Sequence, residues 1–463
     1  MTSFLLFVLL LPMHAQDKRT VAEPKYPPVC ASLSANFTAA GETLAAADES
    51  KLDTRRIQQA LDKCAAGQAV ELKPQGAYNA FLSGPIDLKR GVTRLVSRGT
   101  VLFASRDPRV YDVEPGVCGT ITERGRGCRA LINGSGVADA GVMGEGVIDG
   151  RGGYKIMGQQ ITWWDLAEQA RKGGNQNNPR IMVLNHCDNF TLYKIQLKDS
   201  PNFHVSYSNG NGFTVWGVIV NAPRNARNTD AIDPGNSTNV TMTHCFIHTG
   251  DDNVAIKAPK GAPTKNMTFA HNHFYSGHGM SIGSNTDGGA SAIRVRDLTI
   301  DGADNGLRIK SNETRGGQVK DVVYEDVCIR NSKHPILMDS NYTASVGKEK
   351  GLIPSFTGIV LRDVHISAGG KINLDGADAN HRLGIQFENV TLDAVAAKNV
   401  HAIHAEITLG PGTTNLRASG EDVKVTGQPG TVMTNSCESR FVPFPVPVSQ
   451  KAKPLVVSRG GAL

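Results

Sequence analysis

The 463-residue sequence lacks several features that mark common classes of protein. Aromatic residues make up only 6% of it, and no basic stretch with interleaved aromatics occurs, so the net charge of +6 does not indicate a nucleic-acid partner. No C-x-x-C motif is present, which argues against a cysteine zinc site or thioredoxin-like chemistry. A mild positive charge suits an enzyme that holds an acidic polymer, although an ordinary soluble surface accounts for it equally well.

Hydrophobic runs long enough to span a bilayer are also missing. The apolar run at residues 4–12, with Ala15 as a small residue at the cleavage point, indicates an export signal over residues 1–15. Two details depart from the usual pattern, because no Lys or Arg precedes the run and Met13 is large for its place. We expect a secreted monomer, periplasmic or extracellular, in which residues 16–463 form one domain without a linker.

The eight cysteines fit an oxidising compartment. Cys118 and Cys128 flank a Gly-rich loop, and Cys30 and Cys64 bracket the N-terminal region, so each pair is a candidate disulfide. Cys437 has no evident partner. Buried free thiols are predicted at the three cysteines within apolar, strand-like runs, namely Cys187, Cys245 and Cys328.

Short β-branched strands separated by Gly, Asn and Asp dominate the sequence. Two short helices are predicted, at residues 53–64 with Asp53 or Thr54 as the cap, and at residues 163–171. From about residue 180 apolar triplets begin 26, 27 and 29 residues apart, at Val254, Met280, Leu307 and Ile336. No two-residue hairpin turns are seen, which favours a parallel β-helix over a sandwich.

Two segments are predicted to pack on the outside of this solenoid. The first helix would cap the open N-terminal coil, which otherwise exposes unpaired strand edges. Residues 441–448 alternate with prolines and are therefore predicted to wrap the body as an extended tail. Asn-x-Thr triplets recur at strand starts and are interpreted as turn chemistry, at Asn189, Asn239, Asn266 and Asn389.

Acidic residues, a histidine and cations recur at the interval of one coil, so a β-helix would place them on one wall. The steps are 21 residues from Asp230 to Asp251, 26 from Asp252 to His278 and 30 from His278 to Arg308. An Asp pair at a turn is usually a solvated cap, and the coincidence of these groups is what favours a site. Paired carboxylates are the groups that hydrolyse glycosidic bonds, one as an acid and the other as a base.

The remaining candidates surround this acidic cluster. His278 lies between two glycines, which allow close approach, and we expect it near the acid. Arg308 and Lys310 are two apart on a strand and share a face, where they would recognise an acidic sugar. Tyr342 lies about one coil further and is predicted to pack against a sugar ring.

The chain resembles the polygalacturonases of glycoside hydrolase family twenty-eight, especially the bacterial endo-acting enzymes. The likeness covers nearly the whole mature chain and lies in four ordered segments, Asn228-Thr229-Asp230, Gly250-Asp251-Asp252, Gly277-His278-Gly279 and Arg308-Ile309-Lys310. It implies a right-handed parallel β-helix that hydrolyses α-1,4 links of polygalacturonate with inversion, without a metal or cofactor. One departure is Ala231, where glycine is usual, and we expect little effect from the added methyl group.

The resemblance also implies a role for each matching residue. Asp251 would be the general acid, Asp230 and Asp252 would hold the attacking water, and His278 would support the acid. Arg308 and Lys310 would bind a substrate carboxylate, and Tyr342 would contact the sugar. The family pattern pairs Cys30 with Cys64 and Cys118 with Cys128.

Three other functions remain open from the sequence. The nearest is an exo-acting pectin hydrolase, or one acting on a substituted galacturonan, in which the Arg151–Asn178 insertion would wall the groove. A calcium-dependent pectate lyase is the second, and a non-catalytic β-helix adhesin is the third.

Overall fold

The computed structural model describes residues 16–39, 43–343, 351–368, 370–393, 397–430 and 437–450. The predicted export signal, residues 1–15, lies outside these ranges. Parallel strands dominate them, and the right-handed parallel β-helix expected from the sequence is confirmed. None of the helices in these ranges has the length and apolar character needed to cross a membrane.

One sheet of eleven strands carries the candidate site and is called the site sheet. Each of its strands is parallel to the next one along it, in chain order. The strands are Ile86–Asp87, Ile132–Ser135, Met182–Asn185, Val205–Ser208, Ile232–Gly235, Val254–Ile256, Met280–Gly283, Asn305–Lys310, His334–Asp339, Ile372–Asp375 and Val400–Ile403.

A second sheet of twenty strands forms the remaining walls of the solenoid. One column consists of Val29–Ser34, Gln68–Lys73, Val92–Val96, Gly141–Met143, Phe190–Tyr193, Asn211–Trp216, Thr238–Thr243, Thr264–Phe274, Ala290–Asp301, Gln318–Arg330, Ser355–Ile366, Leu383–Leu392, Ala405–Leu409 and Val423–Gly427. The other column consists of Ala80–Ser83, Val101–Ala104, Val147–Asp149, Gln196–Lys198, Ile219–Asn221 and Phe246–His248, and it joins the long strand Thr264–Phe274. A separate antiparallel pair links Ile121–Thr122 to Asn175–Gln176.

The interior is a stack of apolar side chains, because alternate residues of each short strand point inward. In the site sheet one such column is fully buried and aligned by strand register, and it consists of Val205, Ile232, Val254, Met280, Leu307, Ile336 and Ile372. The intervening residues point outward, so that Asp233, Ser281 and Arg308 lie on the outer face of the same sheet. Burial of the interior column therefore decides which polar residues reach the site.

Corners between strands are made by single residues in the left-handed conformation. His271 and Asp297 occupy one corner in adjacent coils, with φ of 56° and 47°. The four asparagines interpreted as turn residues, Asn189, Asn239, Asn266 and Asn389, have φ between 52° and 58°. Asn tolerates this conformation better than most residues, so their interpretation as turn chemistry is confirmed.

Two short α-helices are present where the sequence predicts them. The first spans Thr54–Lys63 and covers the first coil with Ile57 and Leu61, and the second spans Trp163–Gln169. Asp53 occupies the N-terminal cap position of the first helix, as predicted, but its side chain makes no capping hydrogen bond with the helix. Instead, Asp53 accepts from the Leu82 amide at 3.0 Å and Thr54 Oγ1 accepts from the Gly84 amide at 2.8 Å, so both residues tie the helix to the next coil. Short 3-10 helices occur at Ala46–Asp48, Pro108–Tyr111, Ala170–Lys172, Ala397–Asn399 and Glu438–Arg440.

Disulfides join Cys30 to Cys64 and Cys118 to Cys128, as predicted. A third joins Cys328 to Cys437, so the prediction of a free thiol at Cys328 is wrong. The reason lies in the alternation of its strand, where the flanking residues point inward and Cys328 points outward, in register with Thr299 and His365. Free, buried thiols are confirmed at Cys187 and Cys245.

The C-terminal tail beyond Cys437 crosses the outside of several coils, as the proline pattern predicted. Arg440 contacts Asp297 and Asp326, and the backbone carbonyl of Val442 accepts a 2.9 Å hydrogen bond from Tyr275. Further along, Ser449 donates to Asp199 at 2.5 Å. The tail therefore runs back from the coil of Cys328 to that of Asp199.

Two fully buried arginines differ sharply in their surroundings. Arg94 points inward between Val70 and Val142, and none of its three guanidinium nitrogens has a hydrogen-bond partner among the described residues. Burial lowers its pKa to about 9. Arg151, in contrast, forms two hydrogen bonds with Glu49, at 2.5 and 2.9 Å.

Candidate active site

Successive coils bring the predicted acids and His278 together at one edge of the site sheet. Asp230 precedes the strand Ile232–Gly235, Asp252 precedes the next strand, and His278 precedes the one after that. Backbone hydrogen bonds connect these turns directly: Ala231 donates to the Asp252 carbonyl at 3.0 Å and His278 to the Asp251 carbonyl at 2.9 Å. The side chains of Ser281, Arg308 and Lys310 reach the same place from the following strands.

Asp251 and His278 form a hydrogen-bonded pair. The His278 Nδ1 atom lies 3.1 Å from Asp251 Oδ1. Burial opposes the charge on both groups, yet the hydrogen bond and mutual attraction dominate, so the pKa of Asp251 is lowered and that of His278 is raised. The backbone amides of Asp252 and Asn228 also donate to Asp251, at 2.9 and 3.3 Å. In the unliganded site the proton of this pair therefore lies on His278.

Asp252 is held by three donors. Ser281 Oγ and Lys310 Nζ each lie 2.8 Å from one of its oxygens, and Arg308 lies 3.2 Å from Oδ1. The side chain is only 3% exposed. Burial would raise the pKa of Asp252, but the Lys310 and Arg308 charges outweigh it and lower the pKa. Asp252 is therefore a fixed, ionised carboxylate, and in the unliganded site the two cations contact it.

Asp230 belongs to a second cluster, with Asp233 and Lys257. Lys257 Nζ lies 3.5 Å from Asp230 Oδ2 and forms a closer ion pair with Asp233. The other carboxylate oxygen of each Asp is buried and has no hydrogen-bond partner among the described residues. Burial, together with the charges of Asp233 and Asp251, raises the pKa of Asp230 well above its usual value. Burial raises that of Asp233 to about 6.

Asp233 and Lys257 were missed in the sequence analysis, although a signal was present. Asp233 alternates with inward Ile232 on a strand whose register matches that of Ser281 and Arg308, so it had to face outward. Lys257 directly follows a recognised apolar triplet. Each was overlooked because it stands alone in sequence and becomes a partner only through pairing between coils.

The glycines around His278 allow close approach of backbone, as expected. Both have positive φ, 132° at Gly277 and 73° at Gly279. A Cβ atom at Gly277 would lie 2.6 Å from the Asp251 carbonyl oxygen, and one at Gly279 would lie 2.2 Å from that of Asn305. Larger residues would therefore push the His278 turn away from the acids.

Tyr342 lies beside the two cations. Its ring centroid is 5.4 Å from the Arg308 guanidinium carbon and 5.5 Å from Lys310 Nζ. Its amide donates to the Ser311 carbonyl at 2.9 Å, which fixes the backbone at this edge of the site. The predicted contact with a sugar ring stays a prediction.

The Arg151–Asn178 insertion borders the site from the side. Gln176 donates to Asn228 at 2.9 Å, and Arg227 donates to the Ala167 carbonyl at 2.6 Å. These contacts place the insertion next to the segment that carries Asp230. Its role as a wall that closes one end of the groove, expected for an exo-acting enzyme, stays a prediction.

Asp251, Asp252 and His278 lie close enough to share a metal ion, since one ligand atom of each falls within 4.8 Å of the others. The donor set does not fit that role. Both oxygens of Asp252 contact a cation, and those of Asp251 accept from His278 and from backbone amides. Two cationic side chains thus occupy the positions in which a calcium ion would neutralise the carboxylates.

Comparison with known proteins finds likeness over most of the chain. The model of the family "Glycosyl hydrolases family 28" matches residues 75–409. A polygalacturonase of Ralstonia nicotianae is 39% identical over 92% of this chain and 92% of its own, and an endo-polygalacturonase of Pectobacterium carotovorum subsp. carotovorum is 41% identical over 82% and 90%. The solved structure of the polygalacturonase from Erwinia carotovora ssp. carotovora covers 89% of this chain and 100% of its own, with a TM-score of 0.76 and 38% identity.

Proposed function

The chain belongs to family 28 of the glycosyl hydrolases, and from that premise we propose that it is an endo-polygalacturonase that cleaves α-1,4 links of polygalacturonate with inversion. The observation that supports this most is the convergence of three carboxylates with His278, Arg308 and Lys310 at one edge of the site sheet. An inverting reaction needs one carboxyl group as acid and another as base, on opposite sides of the scissile bond. The cations supply the recognition of an acidic sugar.

Asp252 is the proposed base, together with Asp230. Asp252 is kept ionised by Lys310 and Arg308, so it can accept a proton from a water molecule. When substrate enters, its carboxylate competes for the two cations, which then bridge enzyme and sugar. The Lys257 charge lowers the pKa of Asp230 and so favours its ionised form, while burial and the acidic neighbours oppose that effect.

Asp251 is the proposed general acid, with His278 as its support. In the free site the shared proton lies on His278, one hydrogen bond away from Asp251 Oδ1. A polyanionic substrate adds negative charge beside the pair, which favours the protonated form of Asp251. The raised pKa of Asp230 makes that residue the rival candidate for the acid.

A substrate with a good leaving group separates these assignments. Loss of a general acid costs about 10²–10⁴-fold on polygalacturonate. An α-galacturonosyl fluoride needs no protonation of its leaving group. We therefore expect Asp251→Asn to hydrolyse the fluoride at a rate close to the native enzyme, while Asp230→Asn and Asp252→Asn lose both activities. Retention of fluoride hydrolysis by Asp230→Asn instead would assign the acid to Asp230.

The product profile on polygalacturonate tests endo action. An endo enzyme lowers viscosity early and releases a range of oligomers. Slow loss of viscosity with only monomer or dimer released would indicate exo action, for which the wall formed by the Arg151–Asn178 insertion would be the structural reason. A lyase would instead form an unsaturated product that absorbs in the ultraviolet, and its activity would depend on calcium. For the proposed hydrolase, we expect EDTA to leave the activity intact.

We also propose that the protein is exported and acts as a monomer, with residues 16–463 as one catalytic domain. Three disulfides between described residues favour an oxidising compartment. Fractionation of the producing cells tests the location, and size-exclusion chromatography with light scattering tests the oligomeric state. Activity confined to the cytoplasm would reject export.

A further inference from the structure

We propose that Asn253 is a positioning residue for the general acid, because it holds the turn of His278 against Asp251. The inference rests on the proposed function and adds to it a residue that is too deeply buried to touch a substrate. Asn253 directly follows Asp252 in the sequence, and its side chain is fully buried. The sequence analysis did not single it out, because its partners lie on the next coil.

The Asn253 side chain forms one hydrogen bond on each side of His278, and this pair of bonds is called the His278 bracket. Its Nδ2 atom donates to the Ser276 carbonyl at 2.9 Å, and its Oδ1 atom accepts from the Gly279 amide at 2.8 Å. Both bonds are buried, where a hydrogen bond is stronger than in water. A single side chain therefore fixes the backbone both before and after His278.

The same side chain is linked to the backbone of Asp251. Asn253 Nδ2 also donates to Thr249 Oγ1 at 3.3 Å, and that hydroxyl donates to the Asp251 carbonyl at 2.8 Å. The Asp251 carbonyl in turn accepts from the His278 amide at 2.9 Å. Both partners of the 3.1 Å contact between His278 Nδ1 and Asp251 Oδ1 are thus attached to one buried amide group.

The repeat of the solenoid does not require an asparagine at this position. In strand register, the position is filled by Ala231 on the coil before and by Gly279 and Gly306 on the two coils after. None of these three has a polar side chain. The turn of His278 also fits closely over the amide, since a Cβ atom at Gly277 would lie 2.7 Å from Asn253 Nδ2. The His278 bracket is therefore specific to the coil that carries the proposed acid.

Loss of the bracket should weaken the contact between His278 and Asp251. The Ser276 carbonyl and the Gly279 amide would lose buried partners, so the turn would shift to satisfy them. A displacement of about 1 Å near the reacting groups can lower a rate by about 100-fold.

The charge on His278 should respond to the same shift. His278 faces Asp251 and Asp252 from the preceding coil and Arg308 from the following one. The two acids favour its protonated form, whereas burial and Arg308 oppose it. A weaker contact with Asp251 should therefore lower the pKa of His278.

The variant Asn253→Ala tests the bracket on two substrates. On polygalacturonate we expect kcat to fall by about 10–100-fold and KM to stay within about 3-fold of the native value, because the acid is displaced and the binding groups are not. Hydrolysis of an α-galacturonosyl fluoride, which needs no general acid, should stay within about 3-fold of the native rate. When added to His278→Gln, Asn253→Ala should cause little further loss, because residues that act through one contact are not additive.

The pKa of His278 provides a measurement that does not depend on turnover. It can be followed by NMR of the histidine rings, with the His278 signal identified by its loss in His278→Gln. We expect a lower pKa in Asn253→Ala than in the native protein. Thr249→Val removes only the hydroxyl between Asn253 and Asp251. It should change kcat and this pKa in the same directions, and it provides the test if Asn253→Ala does not fold.

Asn272→Ala is the matched control. Asn272 is buried as deeply as Asn253 and forms the same two kinds of bond around another turn. It accepts from the Cys245 amide at 2.9 Å and donates to the Met242 carbonyl at 3.0 Å. Both variants should lower Tm by similar amounts, but only Asn253→Ala should change kcat and the pKa of His278.

Three results would overturn the proposal. The first is an unchanged kcat in Asn253→Ala. The second is an equal loss on the fluoride and on polygalacturonate, which would mean that Asn253 acts on the base Asp252. The third is a further loss in His278→Gln as large as the loss in the native protein. If the native protein does not cleave polygalacturonate, the proposed function fails instead, and the pKa of His278 still decides the role of Asn253.

Discussion

Replacing Lys257 with methionine should move the acid limb of the pH–activity profile. Lys257 is the cation that contacts both Asp230 and Asp233, and these two carboxyl groups have raised pKa values even in its presence. Methionine is an unbranched side chain one atom shorter than lysine, and it removes the charge. The pKa of both acids should rise further, because two like charges then remain together in a buried place.

The size of the shift follows from the distance. Two unit charges 3.5 Å apart, as for Lys257 and Asp230, attract by about 5 kcal/mol at an effective dielectric constant of about 20. That energy equals about 3.5 pKa units. Water entering the space beside the shorter head group recovers part of it, so we expect a shift of about 1–2 units. The base must be ionised, so activity should appear only at higher pH.

The assay is kcat/KM on polygalacturonate from pH 3 to pH 9, since this ratio reports groups of the free enzyme. Lys257→Arg is the matched control and should restore the native limb, because it retains the charge. A variant that loses activity equally at every pH would show that Lys257 acts by shape or by binding substrate. An acid limb that does not move would refute the coupling between Lys257 and the base.

Three further predictions concern other parts of the molecule. Because Asp251 raises the pKa of His278 above its usual 6.5, the alkaline limb of kcat/KM should lie above that value, and His278→Gln should abolish this limb while lowering kcat. The stabilisation by this pair is complete below the ordinary histidine pKa and is lost as the pH rises through the raised pKa of His278 in the folded protein. The melting temperature of the native protein should therefore exceed that of His278→Gln at neutral pH, and the difference should disappear at alkaline pH. Arg94→Met should raise the free energy of unfolding by about 2–4 kcal/mol in urea titrations. Arg151→Met leaves Arg106 as the remaining cation beside Glu49 and should lower the free energy of unfolding by about 1–3 kcal/mol, and equal effects of the two variants would refute the role of pairing. Replacing Cys328 and Cys437 together with serine should lower stability by about 2–5 kcal/mol but leave kcat at 25 °C unchanged, and a loss of kcat would show that the tail shapes the site.

Much of the fold was predictable because a solenoid repeats its pattern. Apolar triplets at 26 to 29 residues fixed the coil length, and that length alone brought Asp230, Asp251 and His278 to one edge. The first helix was equally visible from Ile57 and Leu61 on one face. A pattern that repeats along the chain can be recognised from the sequence alone, without knowledge of how the coils pair.

Contacts that depend on the direction of single side chains were not predictable in this way. Cys328 was predicted to be a free thiol because its neighbours are apolar, but alternation turns it outward, where it forms a disulfide with Cys437, which is distant in sequence. Asp53 appeared to be a helix cap, but its carboxylate is used by Leu82 of the next coil. Lys257 was not singled out, because it belongs to no motif. In each case the partner lies on another coil or in the tail, and only the three-dimensional register identifies it.

The C-terminal tail gives the catalytic coils an anchor that does not depend on the last turns of the solenoid. Stacked repeats touch only their neighbours, so they come apart most easily from an open end. The tail from Cys437 to Ser449 does not contact the solenoid through residues 355–427 in these bonds. It is bonded instead to Cys328, Tyr275 and Asp199, on and near the coils that carry the acids. We therefore expect local unfolding or proteolytic cleavage within those terminal coils to leave the coils of the reaction centre folded, because the tail still holds them.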